Sequence, residues 1–447
     1  MGSPAVHSRG HGGAAERLRE IFDAALRAVH PGPVTARALR DLPLPTTHGA
    51  GVHLLAIGKG AHAMAAAAVE VLATRGVPPA GGIVVSTVAA SAPHRSLAAV
   101  VGDHPLPGTQ SRDAADRLAT AAAVVGPDDL AVVLLSGGAS SLVGAPVDGV
   151  SPDELTTLTR TLLGAGVDIG LVNLARRRVA RWGAGRLAVA LAPARVECLV
   201  LSDVPGYDAA LVGSGPCAPD PVPAAEVVAR LRAIGAWERV PDGVRRRLRV
   251  AAEGDEPDVP RVDDDAFRRV RIALLADNAT ARRAAADAAR GAGFDVVLHD
   301  APLAGEARPL GASIGALLRD EATSLGTTRD AVHVWGGEPA VTLGDAPSDA
   351  LGGRMQELAL AAAEVIAGAP VTVLAAGTDG RDGPTDAAGA VVDGESWSRV
   401  AARGRDPAHD LATHRGHAAL DAAGALLRTG PTGTNVADLV LAVVSRH

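Results

Sequence analysis

Residues 52–60 read VHLLAIGKG, a short and mostly apolar run that ends in the turn Gly58-Lys59-Gly60. The alanine-rich residues 61–73 follow this turn without a glycine or a proline. A buried strand, a glycine turn and a helix in this order form the repeating unit of α/β proteins, whose strands lie parallel. The stretch therefore predicts the first strand, turn and helix of a parallel sheet.

The same succession of strand, turn and helix recurs along most of the chain. It favours an α/β fold class, with two α/β domains, mainly parallel sheets and an interdomain cleft. An acidic segment around Asp255-Glu256-Pro257 interrupts the pattern, so we expect a linker within residues 251–265, an N-terminal domain over 1–255 and a C-terminal domain over 266–447. The predicted strands are residues 52–57, 82–86, 98–101, 131–135, 197–201, 270–275, 295–298, 331–335 and 371–375, and the predicted helices are residues 16–29, 61–73, 279–291, 308–325 and 358–366.

Composition and charge argue against several classes of protein. The 447 residues are 47% hydrophobic and 21% charged, and a net charge of -7 offers no basic footprint for nucleic acid. No apolar run approaches the ~18 residues of a membrane helix, and residues 1–13 lack the apolar segment of a signal peptide. Cys198 and Cys217 match no disulfide framework or zinc pattern. We expect a cytoplasmic monomer or homodimer without nucleic-acid or membrane partners.

Lys59 is the only lysine among the 43 lysine and arginine residues of the sequence. A chain with so strong a preference for arginine is expected to carry arginine wherever it serves as well as lysine. The retained lysine is then expected where a compact ammonium fits a phosphate site that a planar guanidinium would overfill. A surface lysine that was retained by chance is the competing interpretation.

Five predicted strands are followed by turns that combine glycine with a polar or charged residue. Ligands of open parallel sheets bind beyond the carboxyl ends of the strands, and glycine lets backbone N–H groups approach a phosphate. A shared cleft that binds phosphate is therefore favoured over ordinary tight turns. The turns are Gly58-Lys59-Gly60, Ser136-Gly137-Gly138-Ala139-Ser140, Ser202-Asp203, Gly336-Gly337-Glu338 and Gly377-Thr378-Asp379-Gly380.

Carboxylates and arginines occur near the same turns. Phosphoryl transfer from a nucleotide needs Mg²⁺, held by one or two carboxylates, and a group that accepts the proton of the attacking hydroxyl. An arginine binds a carboxylate or phosphate through two parallel hydrogen bonds. Turn, capping and solvent-facing roles are the competing interpretations. The candidate acids are Asp203, Asp208, Glu338, Asp379, Asp382 and Asp386, and the candidate arginines are Arg354 and one of Arg176, Arg177 and Arg178.

Several further short motifs follow one another along the chain in a fixed order. Together with the turns above, they are Ile57-Gly58-Lys59-Gly60, His104-Pro105-Leu106-Pro107, Leu135-Ser136-Gly137-Gly138, Ser202-Asp203-Val204, Gly213-Ser214-Gly215-Pro216, Gly336-Gly337-Glu338-Pro339, residues 377–389 and Thr429-Gly430-Pro431-Thr432-Gly433-Thr434-Asn435. With these motifs the chain resembles the glycerate 2-kinases that carry a MOFRL-type C-terminal domain. The resemblance runs from about residue 16 to residue 444 and implies a Rossmann-like N-terminal domain followed by a MOFRL-type α/β domain.

The resemblance implies ATP-dependent, Mg²⁺-assisted phosphorylation of D-glycerate at its 2-hydroxyl, which gives 2-phosphoglycerate. It carries catalytic roles over to Lys59, Asp203, Arg354 and Asp379. Asp203 and Asp379 are also the implied Mg²⁺ ligands, and which of them accepts the hydroxyl proton stays open. The expected substrate or nucleotide contacts are Gly58, Gly60, Ser136, Gly137, Gly138, Ser140, Arg176, Ser214, Glu338, Gln356, Asp382 and Asp386.

The chain departs from the family pattern at several motif positions. Loss of hydrogen-bond donors there favours, as an alternative, a kinase for a different small hydroxy acid or a sugar-derived alcohol. The departures are Gly183 for a lysine, Ala180 for a serine, Met355 for an asparagine, Tyr207 for an aspartate and Ala139 for a glycine.

Two further alternatives are a hydroxypyruvate reductase and a binding protein without activity. The turn after the first strand lacks the Gly-x-Gly-x-x-Gly pattern and the ribose-binding acid of nicotinamide enzymes, which argues against a reductase. Retention of Lys59 argues against an inactive protein, because an inactive site has no reason to keep its lysine.

Overall fold

The computed structural model describes residues 9–445, except Gly166, Pro205, Tyr207, Ala209, Ala210, residues 255–257, residues 325–328 and Asp345. The chain forms two compact units. One is continuous, over Pro31–Leu275, and we call it the middle unit. The other joins Met1–His30 to Ala276–His447, and we call it the terminal unit.

Helices and strands alternate through both units. None of the described helices combines the length and the hydropathy that crossing a membrane requires. The α-helices are α1 (Arg9–Ala28), α2 (Pro31–Arg40), α3 (Ala61–Thr74), α4 (Thr109–Ala123), α5 (Ala139–Leu142), α6 (Pro152–Gly164), α7 (Ile169–Val179), α8 (Arg186–Leu191), α9 (Ala224–Ala233), α10 (Asp242–Glu253), α11 (Asn278–Gly291), α12 (Ala307–Thr323), α13 (Arg354–Val365), α14 (Ser396–Ala402), α15 (Pro407–Ala412) and α16 (Gly416–Ala422). The strands are β1 (Val52–Ile57), β2 (Gly81–Ser86), β3 (Leu97–Val101), β4 (Leu130–Leu135), β5 (Arg195–Leu201), β6 (Val270–Ala276), β7 (Asp295–Leu298), β8 (Ala331–Gly337), β9 (Val371–Gly377), β10 (Gly389–Asp393), β11 (Leu426–Leu427) and β12 (Asp438–Val444).

The sheet of the middle unit has the strand order β3-β2-β1-β4-β5-β6. Strands β1 to β5 pair in parallel, with Ile57 of β1 beside Leu135 of β4. Both of these strands are buried along their whole length, as is typical of the centre of a parallel sheet. The chain builds one half of the sheet outward from β1 and the other half outward from β4. The two turns that follow β1 and β4 therefore meet where the strand order reverses.

The sheet of the terminal unit has the order β11-β10-β9-β12-β8-β7 and is mixed. Among its described strands, β7 and β8 are the one parallel pair; β12 runs antiparallel to both of its neighbours, and β10 runs antiparallel to β9. The expectation of two α/β domains is confirmed, but that of a mainly parallel sheet is wrong for this unit. Residues 378–388, which connect β9 to β10, explain the antiparallel pairing of these two strands. All of them are described, and they form turns without the crossover helix that a parallel connection needs.

Helix α1 belongs to the terminal unit, although it lies at the other end of the chain. Its residues Leu18, Ile21, Phe22 and Ala25 are buried, and the helix packs against α11, β9 and β12. The compact units therefore divide the chain at residues 30/31 and 275/276, unlike the expected domains 1–255 and 266–447. An amphipathic pattern predicts that a helix buries one face but does not identify the partner. The residues 255–257 at the expected linker lie outside the described residues.

Candidate active site

The turn after β1 and the turn after β4 interlock in the middle unit. The Lys59 N–H donates to the carbonyl oxygen of Gly137 at 2.9 Å, and the Gly60 N–H donates to Ser136 Oγ at 3.0 Å. Gly58 has a φ of +132°, and a Cβ atom there would lie 2.1 Å from Ser136 Oγ. Glycine is therefore required at Gly58 by both conformation and space. In open α/β sheets, this reversal point is where ligands bind.

The Lys59 side chain is half-buried beside the glycine loop after β4. Gly138 has a φ of +86°, and a Cβ atom there would lie 3.4 Å from Lys59 Cγ and 3.2 Å from His104 Cδ2. Lys59 and His104 thus flank the same glycine. His104 was not among the residues predicted for the site, although the His-Pro-Leu-Pro motif that contains it was recognised.

Asp203, which follows β5, lies against the same loop. A Cβ atom on Gly137 would come within 2.0 Å of Asp203 Oδ2, so only glycine leaves room for this carboxylate. The structure thus brings together Lys59, the Ser136 loop and Asp203, which the sequence analysis selected separately. Asp208 is exposed five residues further along the chain, and the neighbouring Tyr207 lies outside the described residues.

Ser140 and Ser214 form a second link at this edge of the sheet. Their hydroxyl oxygens are 2.8 Å apart, and Ser214 is buried. Ser214 has a φ of +67° and lies between Gly213 and Gly215, which also have positive φ. Ser214 was predicted as a ligand contact, and here it ties its own loop to the glycine loop through Ser140.

The three consecutive arginines of α7 have different surroundings. Arg177 donates to both carboxylate oxygens of Asp220, and Arg178 donates to both oxygens of Asp258. Among the described residues no carboxylate pairs with Arg176, and its buried Nε has no hydrogen-bond partner. Burial lowers the pKa of the Arg176 guanidinium. Arg176 is therefore the arginine of the three whose charge is left for an external anion.

Two of the departures from the family pattern lie at interior positions. A Cβ atom on Gly183 would lie 2.4 Å from the carbonyl oxygen of Arg177, so the backbone there leaves no room for a lysine side chain. Met355 is completely buried in the hydrophobic core of the terminal unit. In this structure neither position faces the surface of a site, so the absence of the family's lysine and asparagine does not cost the site an exposed hydrogen-bond donor.

In the terminal unit, Arg354 begins α13 and is surrounded by carboxylates. Its Nε and Nη2 donate to the two oxygens of Asp438 at 2.5 and 3.2 Å, and its Nη1 donates to Glu338 Oε1 at 3.0 Å. Burial works to lower the pKa of Arg354, but the charge of Asp438 and the hydrogen bonds between them outweigh it and raise this pKa. Glu338 and Arg354 were both predicted for the site, and the structure brings them together.

Asp438 was missed by the sequence analysis. It is 2% exposed, and burial raises its pKa to about 7 although the positive charge of Arg354 acts in the opposite direction. The residue begins β12, a strand that the sequence pattern did not predict. Its one sequence signal was its position three residues after the recognised motif that ends at Asn435.

Asp382 and Gln356 hold the loop and helix of this site together. Asp382 is 3% exposed, and its two oxygens accept hydrogen bonds from the backbone N–H groups of Met355 and Gln356, at the start of α13. Gln356 is completely buried, and its Nε2 donates to Thr385 Oγ1 at 2.9 Å. Both were predicted as ligand contacts. The Asp382 carboxylate holds the start of α13, whereas the buried Gln356 Oε1 has no hydrogen-bond partner among the described residues.

Asp379 and Asp386 lie on the same glycine-rich loop in different surroundings. Asp379 is half-buried, and a Cβ atom on Gly377 would lie 3.3 Å from Asp379 Oδ1 and 3.4 Å from Asp438 Oδ1. Asp386 is exposed and pairs with His417 and Arg428, whose hydrogen bonds lower its pKa to about 2. Asp379 therefore lies beside the Arg354 cluster, whereas Asp386 forms a surface ion pair.

No group of three or more His, Cys, Asp or Glu side chains suited to a metal ion occurs among the described residues. Nucleotide-bound Mg²⁺ needs fewer protein ligands, because phosphate oxygens and water complete its coordination. Single carboxylates beside a glycine loop, such as Asp203, have the donor chemistry for this kind of site.

Two family models and several named proteins match the chain. Residues 17–249 match the family described as "Domain of unknown function (DUF4147)", and residues 331–438 match the MOFRL family. The chain is 34% identical to the D-glycerate 2-kinase of Thermotoga maritima, over 95% of this chain and 97% of that protein. It is 30% identical to human glycerate kinase, over 95% and 92%, and 36% identical to a putative hydroxypyruvate reductase of Agrobacterium vitis, over 95% and 93%.

A solved structure extends the likeness to the fold. The crystal structure of the Thermotoga maritima glycerate kinase superposes with a TM-score of 0.80 at 32% identity, and the match covers 96% of this chain and 99% of that one. Sequence identity of this size over nearly complete chains indicates membership of the same family and not only a shared fold. The chain belongs to the MOFRL-type glycerate kinase family.

Proposed function

We propose that the protein transfers the γ-phosphoryl group of ATP to the 2-hydroxyl of D-glycerate and so forms 2-phosphoglycerate and ADP. The observation that carries the proposal is the meeting of Lys59, the Ser136 loop and Asp203 at the reversal point of the parallel sheet. The names of the relatives in Thermotoga maritima and in humans support it.

Lys59 and the loop of Ser136, Gly137 and Gly138 bind phosphate oxygens in this proposal. The ammonium offsets negative charge on the transferring group, and glycine allows close approach of backbone N–H groups. The oxygen at C2 of glycerate attacks the γ-phosphorus, and the bond from that phosphorus to the bridging oxygen of ADP breaks. The hydroxyl proton passes to a carboxylate, for which Asp203 and Asp379 are the two candidates.

Arg176 is proposed to bind the carboxylate of the acceptor. Its guanidinium lies in the middle unit with a buried Nε and no protein carboxylate beside it among the described residues. An arginine in this condition gains hydrogen bonds and charge neutralisation when a carboxylate binds. Arg354 is proposed to contact an anionic oxygen in the same reaction.

Mg²⁺ is proposed as the metal that accompanies ATP, with Asp203 or Asp379 as its protein ligand. When bound, Mg²⁺ would supply positive charge that offsets the negative charge of the phosphates. Asp203 meets the chemical requirement of a hard oxygen ligand beside a loop that is open to phosphate. We propose a soluble enzyme that acts on two small anionic substrates in the cytoplasm.

D-Glycerate is preferred over other hydroxy acids because two of the departures, Gly183 and Met355, do not open the site. Gly183 and Met355 occupy interior positions, so the replaced lysine and asparagine leave no exposed vacancy that another acceptor would fill. A kinase for a different hydroxy acid is the first alternative. Hydroxypyruvate reduction is the second, because two relatives in Agrobacterium vitis carry that name.

One assay series separates these possibilities. Purified protein is incubated with ATP, Mg²⁺ and D-glycerate, ADP release is coupled to a spectroscopic signal, and NMR identifies the product. We expect 2-phosphoglycerate. A panel of hydroxy acids and sugar-derived alcohols reveals a different acceptor, and oxidation of NADH or NADPH with hydroxypyruvate would identify a reductase. Absence of ADP release with every acceptor would contradict the proposed function.

A further inference from the structure

Strand β12 begins at Asp438, at the edge of the sheet where β8 and β9 end. In the antiparallel register Asp438 lies opposite Gly337 of β8 and Gly377 of β9. Neither neighbour carries a side chain, and the Asp438 carboxyl is almost completely buried beside them. A buried carboxyl needs hydrogen-bond donors, which Arg354 supplies.

The two hydrogen bonds to Asp438 hold the Arg354 guanidinium by the edge that carries Nε and Nη2. Two of its N–H groups donate to Asp438 and a third donates to Glu338. A guanidinium has five N–H donors, and among the described residues Arg354 donates only these three. One N–H on each terminal nitrogen is therefore left for a ligand, on a side chain that is 34% exposed.

The backbone that carries Asp438 is itself held from two sides. The buried Asn278 side chain donates to the carbonyl oxygens of Val436 and Asp438, at 2.9 Å each. Thr378 Oγ1 donates to the carbonyl oxygen of Ala437 at 2.6 Å and accepts from the Val436 N–H at 2.9 Å. Between them Ala437 has a φ of +63°, which a residue with a side chain keeps only where its surroundings impose it. The direction in which β12 starts is therefore fixed.

We infer that Asp438 is a positioning residue of the phosphoryl-transfer site, which orients Arg354 so that its two remaining N–H donors receive an anionic oxygen of a substrate. The inference rests on the proposed function and adds to it a residue that acts through Arg354. The oxygen belongs to the transferring phosphoryl group or to the glycerate carboxylate, both of which fit the fork of a guanidinium.

Asp438→Asn tests the inference, because it keeps the size of the side chain and removes its charge and one acceptor. We expect kcat/KM to fall about 100-fold, the effect of a displaced catalytic group. A fall in kcat alone assigns the oxygen to the phosphoryl group, and a rise in KM for D-glycerate alone assigns it to the carboxylate. Arg354→Ala should change the same parameter, and the double variant should lose nothing further.

Asp410→Asn is the matched control in the same unit. Asp410 is 4% exposed and accepts hydrogen bonds from Arg405 Nε and Nη2 at 2.7 and 2.8 Å, the same bidentate arrangement. The control should lose a comparable amount of thermal stability and keep kcat/KM within about twofold, because it breaks a buried pair outside the proposed site. Equal kinetic changes in Asp438→Asn and Asp410→Asn would overturn the inference.

Chemical rescue separates positioning from general stability. Guanidinium at about 20 mM should raise the activity of Arg354→Ala about tenfold, because Asp438 and Glu338 hold the cation where the side chain lay. The rescue should be absent in the double variant Arg354→Ala/Asp438→Asn. Equal rescue in both proteins, or full activity of Arg354→Ala without guanidinium, would show that Asp438 positions nothing.

The same series distinguishes a failure of the inference from a failure of the proposed function. Wild-type protein that releases no ADP with D-glycerate contradicts the proposed function, whatever the variants do. The variants are then compared on the acceptor that the panel identifies, and the same loss and rescue are expected. A wild type that is active beside an Asp438→Asn variant of equal activity contradicts only the inference.

Discussion

The two units place a different cation at their strand ends. In the middle unit Lys59 and His104 both lie beside Gly138 of the glycine loop, and Asp203 lies beside Gly137 of the same loop. In the terminal unit Arg354 donates hydrogen bonds to the carboxylates of Asp438 and Glu338. A compact ammonium suits the first site, where space is short, and a planar fork suits the second, where a carboxylate is bound along its edge. The comparison explains why one lysine survives in a chain that otherwise uses arginine.

Exchanging the cation of the middle unit should have the largest effect. We expect Lys59→Arg to lower kcat about 1000-fold, because the wider guanidinium cannot take the place of the ammonium beside the phosphate loop. Steady-state kinetics and a thermal melt measure activity and folding separately. Arg117→Lys, which changes an exposed ion pair with Asp113, is the control and should leave kcat unchanged. Wild-type turnover in Lys59→Arg would refute the argument from the solitary lysine.

Opening the interlock between the two turns should have the next largest effect. Gly58→Ala forces a Cβ atom against Ser136 at a φ of +132° and should destabilise the protein by about 3 kcal/mol. Gly76→Ala is the control: its φ is +73°, with nothing within 4 Å, so only the backbone cost of about 1 kcal/mol remains. Urea unfolding measures both, and equal losses would mean that the turns are not packed as described.

The reverse exchange, of Arg354 for lysine in the terminal unit, should reduce activity less than Lys59→Arg does. Arg354→Lys keeps the charge but loses the two-pronged contact with Asp438, and we expect kcat/KM to fall about tenfold, or ~1.4 kcal/mol of transition-state stabilisation. Initial-rate kinetics at saturating ATP measure the loss. A loss larger than that of Lys59→Arg would reverse the comparison between the two sites.

The last prediction concerns stability and pH rather than activity. Burial raises the pKa of Asp438 to about 7 from 3.8, so between these values the folded protein binds a proton that the unfolded chain has released. The free energy of unfolding therefore falls as pH rises from about 4 to about 7. Asp438→Asn lacks this contribution, so its stability relative to the wild type should increase across the same range. Chemical denaturation at about pH 5 and pH 8 measures it, and a constant difference contradicts the raised pKa.

The middle unit was predictable from sequence because its strands are apolar runs that end in glycine turns. Local pattern located the turn of Lys59, the Ser136 loop and Asp203, and the rule that ligands bind at strand ends joined them. The terminal unit was less predictable, because β12 lies far along the chain from the strands it separates. Its first residue, Asp438, is a lone aspartate in the sequence and becomes part of a site only through that pairing. Arg176 was chosen among three arginines, but only the carboxylates of Asp220 and Asp258 distinguish it from its neighbours.

The assignment of α1 to the terminal unit has a consequence for synthesis on the ribosome. This helix emerges before the middle unit, yet β9 and β12, against which it packs, follow more than 300 residues later. The apolar side chains of Leu18, Ile21 and Phe22 therefore lack these partner strands until β9 and β12 have been translated. The middle unit, which is continuous, can fold during that interval. We therefore expect the middle unit to fold before the terminal unit is complete.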